Sequence, residues 1–289
     1  MKNILTVLSL MLVTVASADI IPPTLNWEAA LDTNGNNIWE SSVNHEANTR
    51  FLFGSAQSTT DVSGTSNLPG VQSAYAMPAA SGDMSSFSTI TIPGGGNASL
   101  MDASFELVFR PISLSTNYFV FETGGTGSGA GIFIKDSQIV FRAQQSANAA
   151  NDAEVTVPLG AGDLNKFHQV VGTIDLDAAA GANSISLYLN GVFIGSDFAS
   201  DVLNAFAGGD SSGIGNLGGG SLTGHDNATV QNMFDNFDGD IAILRYYQNQ
   251  VLSPTQVQQN YDALLIPEPS SFALVFVGAL FLSSFRRRL

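Results

Sequence analysis

From Ser104 onward, apolar and polar residues alternate in short runs broken by Gly, Asn, Asp and Ser, and this period of two restricts the fold more than any other feature. In Phe105-Glu106-Leu107-Val108-Phe109-Arg110, the residues Phe105, Leu107 and Phe109 share one face of an extended chain, as in a half-buried strand. The same pattern predicts strands at Tyr118–Glu122, Gly131–Lys135, Gln138–Ala143, Phe167–Asp175, Ser184–Asn190, Val192–Gly195 and Asp240–Tyr247. Asn190-Gly191 supplies the two left-handed positions of a type I′ turn between apolar runs, which predicts a hairpin. Many short strands without strand–helix alternation point to an all-β, two-sheet antiparallel sandwich. One helix is expected at Ser253–Tyr261, where Ser253 caps, Pro254 suits the first helical position and Gln256 completes a capping box. Residues 19–100 are rich in Ser, Asn, Gly and Thr, yet Trp27, Trp39, Phe51, Phe53 and Tyr75 carry more apolar surface than a solvated tail uses. They are expected to add strands and long loops to the same domain.

The two ends differ from this body. Met1-Lys2-Asn3, the apolar run Ile4–Val15 and Ala16-Ser17-Ala18 follow the order of a secretory signal, with cleavage expected after Ala18. At the other end stand Pro267-Glu268-Pro269, the apolar stretch Phe272–Phe285 and Arg286-Arg287-Arg288. The prolines stop upstream helix. The stretch is shorter than the roughly 20 residues that span hydrocarbon comfortably, and the arginines favour the cytoplasmic side. This order resembles the PEP-CTERM sorting signal of Gram-negative bacteria. The resemblance implies a short transmembrane sorting helix, an inner-membrane intermediate, recognition by an exosortase-type transpeptidase, and delivery to the cell envelope, cell surface or extracellular matrix. The expected organisation is a signal peptide over 1–18, one domain over 19–266 and a sorting signal over 267–289.

Without its ends the body keeps six basic residues against 24 acidic ones, a formal charge of −18. Phosphate binding relies on clustered Lys and Arg, so nucleic acid and anionic lipid are excluded as partners, while neutral glycans and divalent cations are not. The chain has no cysteine, which removes disulfides, thiolate zinc sites and thiol nucleophiles.

Ala103–Arg110, then Phe167-His168-Gln169-Val170-Val171, then Ser186–Gly191, then Phe237–Ile241 through Arg245-Tyr246-Tyr247, and finally Leu252-Ser253-Pro254 resemble, in order and spacing, the laminin-G-like jelly roll of the concanavalin A-like superfamily. The resemblance implies two curved antiparallel sheets, with function in rim loops or on a concave face. A groove on such a face suits an extended sugar chain, and exposed aromatics would stack on its rings. Trp27, Trp39, Tyr118 and Tyr247 are the candidate stacking residues, the alternative for each being the core.

Glucanases of the superfamily carry Glu-x-Asp-x-x-Glu on one strand, and that spacing is absent here; Glu106 and Glu122 each lack a second carboxylate along their own strand. The three histidines have no nucleophile motif around them, and His168, which follows Phe167 where the family commonly has Trp, is expected to be structural. No catalytic or cofactor-binding residues are assigned. Asp235, Asp238 and Asp240, with Gly239, are candidate ligands for a hard cation such as Ca2+. Ala242 departs from the family's Gly-x-Ile-Asp pattern, and the alternative is a solvated loop. Asp32–Glu40 alternates oxygen side chains that could hold a cation but lacks the Gly and Glu of an EF-hand, and reads more readily as a turn leading Trp39 into the core. The glycines at 124–131 precede a strand rather than a helix, so they form a loop and no phosphate cradle. The chain is therefore expected to be an exported, surface-sorted, non-catalytic module that binds polysaccharide or mediates adhesion. A purely structural matrix or coat protein is the alternative, and a glycan hydrolase the third reading.

Overall fold

The computed structural model describes residues 21–267 apart from 33–34, 45–47, 86, 91–100, 125–127, 146–151, 178–183, 201–202, 204–205, 207–209 and 217–233. The signal segment 1–18, the sorting residues Glu268, Pro269, Arg286, Arg287 and Arg288, and the histidines His45 and His225 lie outside the described residues. Among the described residues no helix is long and apolar enough to cross a membrane.

Two sheets form a sandwich, consistent with a jelly roll. The first has eight strands, β14 (Val192–Asp197), β13 (Ile185–Leu189), β12 (His168–Ile174), β7 (Ala103–Pro111), β17 (Gly239–Gln248), β5 (Ser73–Met77) and β4 (Thr60–Asp61) in spatial order, with β1 (Leu25–Glu28) also beside β17. The second has nine, β11 (Asp152–Pro158), β10 (Gln138–Gln144), β9 (Gly129–Lys135), β8 (Asn117–Glu122), β15 (Ser212–Ile214), β6 (Gly82–Met84), β3 (Arg50–Phe53) and β2 (Ile38–Glu40), with β16 (Phe234–Asn236) also on β8. Every predicted strand is present. One pairing departs from the antiparallel expectation: β16 runs parallel to β8, with Phe234 opposite Asn117. The amino-terminal third supplies strands to both sheets.

The period of two places Phe105, Leu107 and Phe109 of β7 in the core between the sheets. Phe105 meets Phe121 of the opposite sheet at 5.4 Å between ring centroids, and Phe87 lies edge-on to Tyr246 at 5.0 Å. Gly172 on β12 faces the ring of Phe141 on β10 of the opposite sheet. A Cβ there would lie 2.4 Å from the Phe141 ring, so glycine leaves the room that ring occupies.

The outward face of the first sheet is covered as well. The helix α1 (Pro254–Leu264) lays Val257 against Val171, Tyr188 and Tyr247. The segment carrying Val62, Leu68 and Val71 packs with Leu264 on Val108, Ala242 and Ile243. The helix begins as its sequence dictates: Gln256 N–H donates to Ser253 Oγ at 3.4 Å, and Ser253 N–H donates to Gln256 Oε1 at 2.9 Å. The hairpin turn joining β13 to β14 also forms, with Asn190 at φ 51° and Gly191 at φ 80°.

Candidate functional site

Beneath α1, on the outward face of the first sheet, lies a sealed polar centre. Glu106 of β7 has no exposed surface. Its Oε1 accepts from Gln169 Nε2 at 2.7 Å and Arg245 Nη1 at 3.3 Å; its Oε2 accepts from Tyr247 OH at 2.7 Å and Asn260 Nδ2 at 2.9 Å. The register explains the gathering, since β7 pairs Glu106 with Arg245 of β17 on one side and Val171 of β12 on the other. Asn260 arrives from the helix and accepts Ile21 N–H at 2.9 Å, while Arg245 also reaches Asn26 and Glu28 at 3.3 and 3.7 Å. Burial alone would lower the Arg245 pKa, but the charge of Glu106, helped by Tyr247 and Glu28, holds it above the ordinary arginine value. Burial, then Glu106, pushes the Tyr247 phenol well above its usual range. A carboxylate held by four donors and shut from solvent is a structural group.

The candidate stacking residues are corrected by their burial. Trp27, Trp39 and Tyr247 have no exposed surface and Tyr118 has 4%. Trp27 packs on Phe51 and gives its indole N–H to Thr49 O, Trp39 packs on Tyr75, Tyr118 on Phe237, and Tyr247 belongs to the Glu106 centre. Each ring is worth more as core than as platform. Of the aromatic residues among those described, Phe193 and Phe198 are exposed and Tyr261 is partly so. The run Val192-Phe193-Ile194 carried the signal for this, because three consecutive apolar residues on a strand cannot all face the core.

The candidate cation ligands do not converge. Asp240 Oδ2 takes Arg110 Nε and Nη2, both at 2.7 Å, and Arg110 stacks over Phe167 at 4.9 Å. Asp235 accepts Thr116 Oγ1 at 2.7 Å on the exposed β16. Asp238 contributes a backbone carbonyl to Ile112 N–H at 3.0 Å. Among the described residues no group of three His, Cys, Asp or Glu side chains is placed to hold a metal ion. Of the Asp32–Glu40 segment, Asp32 accepts the Tyr75 hydroxyl, Asn36 accepts Ile38 N–H at 2.8 Å, and Trp39 lies in the core. His168 is buried, its Nε2 at 2.9 Å from Asp163 O and its Nδ1 at 3.4 Å from Asn190 Nδ2, in the structural role expected of it.

On the outward side of the second sheet one row crosses every strand of the main order. It runs Glu154, Arg142, Gly131, Glu122, Gly213, Asp83, Leu52, Ile38. Arg142 bridges Asp152 at 2.7 Å and Glu154 at 3.3 Å. Glu122 is fully buried between the two glycines and accepts Gly124 N–H. Asp83, two strands away and so about 10 Å off along the row, has its carboxyl pKa raised by burial, which a hydrogen bond from Asn216 partly opposes. Sequence spacing missed this pairing of faces because Glu122 and Asp83 come from strands far apart in the chain.

A family model described as Laminin_G_3, of the concanavalin A-like lectin/glucanases superfamily, matches residues 84–258. No curated protein matches the sequence. Among solved structures, the botulinum neurotoxin serotype D binding domain is 12% identical with a TM-score of 0.55, over 83% of this chain and 50% of that one. The binding domain of botulinum neurotoxin serotype D/C is 16% identical with a TM-score of 0.43, over 57% and 37%. The botulinum neurotoxin DC binding domain in complex with SialylT is 14% identical with a TM-score of 0.44, over 64% and 40%. The chain thus spans half or less of these domains, and the serotype D likeness is one of fold. With the sandwich, the order of its strands and the family match over more than half of its length, the chain belongs to the laminin G group of the concanavalin A-like lectin/glucanase superfamily.

Proposed function

We propose that this protein is an exported, surface-sorted, non-catalytic module that binds polysaccharide in the envelope or extracellular matrix. The observation that carries the non-catalytic part is the state of the carboxylates: Glu106 is closed under the helix and bound by four donors, and Glu122 is buried against Gly124. A glycosidase acid or nucleophile has to reach the scissile bond. Polysaccharide as ligand follows from the superfamily's lectin-type scaffold and from a body charge of −18, which disfavours polyanions and leaves neutral glycans acceptable. The address follows from the ends, where the signal over 1–18 and the Pro267-Glu268-Pro269, apolar and Arg286–Arg288 order would hand the tail to an exosortase-type enzyme. A glycan array probed with the full-length chain, with calcium and with chelator, tests the reading: saturable binding to at least one polysaccharide is expected, and blank arrays in both conditions would overturn it.

The hydrolase reading has one feature in its favour, the shared face of Glu122 and Asp83, and is separated by the release of reducing ends. The matrix-protein reading expects an inert surface, so saturable binding counts against it.

A further inference from the structure

The rim of a sandwich is set by its edge strands, and the edges of this one are unlike each other. β4 has two residues and β2 has three. β11 carries Asp152 and Glu154, and its Glu154 N–H is already taken by Asp197 Oδ2 at 2.8 Å. These are edges blunted by shortness or charge. β14 has six residues, Val192-Phe193-Ile194-Gly195-Ser196-Asp197, and its one charge, Asp197, is the group turned toward β11. Val192 is 60% exposed and Phe193 50%, and Phe198, just past the strand, 43%. Both exposed aromatics among the described residues therefore stand on or beside this edge.

Phe193 pairs across the hairpin with Tyr188, and the rings meet at 5.4 Å and 63°, which holds the Phe193 ring against the sheet while half of it stays open. Next along the same outward side, Ser186 pairs with Ser196, both partly exposed. Among the described residues no strand pairs with the far side of β14, so it also offers edge backbone groups. From Phe193 to Phe198 the extended chain covers about 16 Å.

We propose that a neutral polysaccharide is held along β14, with the C–H face of one sugar ring stacked on Phe193 and a ring several units further along the same glycan on Phe198. The sugar hydroxyls pair with Ser186, Ser196 and the free edge of the strand. This placement rests on the reading that the protein binds polysaccharide. It draws on the match of chemistry: a stretch free of charge from Val192 to Ser196, in a body of charge −18, joins flat apolar surface to hydroxyl and amide groups, as the ring faces and hydroxyls of an uncharged glycan require.

Affinity electrophoresis of the full-length chain in detergent, in native gels cast separately with mixed-linkage β-glucan, xyloglucan, dextran, mannan or anionic alginate, tests the proposal. Retardation is expected in at least one neutral gel and none in alginate. Phe193→Ala should weaken the association by about five- to tenfold, as expected for loss of one stacked ring. Phe193→Tyr should retain it, and Leu52→Ala, an exposed change on the other sheet, should leave it unaltered. Retardation untouched by both Phe193→Ala and Phe198→Ala would overturn the placement and leave the binding function standing. No retardation in any neutral gel, or retardation in alginate alone, would overturn both. A dimer in sedimentation velocity that Phe193→Ala dissociates, with no retardation, would assign the edge to a second copy of the chain and also overturn the placement.

Discussion

Replacing Glu106 with Gln keeps the side chain's shape and removes its charge. The carboxylate accepts four hydrogen bonds, from Gln169, Arg245, Tyr247 and Asn260. An amide has one oxygen, so two of these donors must face an N–H2 group. The Tyr247 hydroxyl rotates to accept, but Asn260 Nδ2 then meets a donor. Arg245, 3% exposed, is left with Glu28 at 3.7 Å as its charged partner. Removing one partner of a buried ion pair costs about 3–5 kcal/mol, a large share of the roughly 5–15 kcal/mol by which a domain is stable. Urea unfolding followed by the fluorescence of Trp27 and Trp39, both fully buried, reads the change. The double replacement Glu106→Met with Arg245→Met should cost far less than the sum of the two single ones, because no charge is then left buried alone. A loss below about 1 kcal/mol for Glu106→Gln, or additive single and double changes, would refute the assignment of Glu106 as the pin that fastens α1 to the sheet.

Gly172→Ala puts a methyl group 2.4 Å from the Phe141 ring and should destabilise the sandwich by about 1–3 kcal/mol, seen as a lower urea midpoint with unchanged slope. Asp102 accepts Leu176 N–H at 2.9 Å, and its carboxyl is raised above 3.8 chiefly by burial and further by Asp175 and Asp177, with the Leu176 bond opposing. A carboxyl raised on folding binds its proton more tightly in the native state, so its contribution to stability is present below pH 3.8 and lost as pH rises through the folded value. Asp102→Asn should therefore gain stability relative to the parent as pH rises from 3.8, and a difference that stays flat or falls over that interval would contradict the assignment.

The strands, the Asn190-Gly191 hairpin and the Ser253 capping box were legible because each is written within a few neighbouring residues. What covers a strand is not local. The alternation around Phe105 correctly puts Glu106 and Val108 on the outward face, but outward there means beneath α1 and the Val62–Val71 segment. Val108, apolar where solvent would favour polar, was the trace of that cover. Asp240 looked like a cation ligand for the same reason: its partner, Arg110, is met only when β17 pairs with β7 and sets Asp240 opposite it. Trp27 and Trp39 carry the chemistry of a sugar platform, and nothing in their own neighbourhoods shows that Phe51 and Tyr75 enclose them. Of the aromatics that do face outward, Phe193 sits where apolar residues run on without alternation at the sheet's edge, and Phe198 follows just past the strand's end.

Binding without cleavage is read by co-sedimentation of the full-length chain with the producing cell's own insoluble exopolysaccharide, with reducing ends measured in the same samples. The bound fraction should saturate with added polysaccharide while reducing ends stay at the level of the protein-free control. A chain that remains in the supernatant at every loading, or reducing ends that rise with time and vanish in Glu122→Gln, would contradict it.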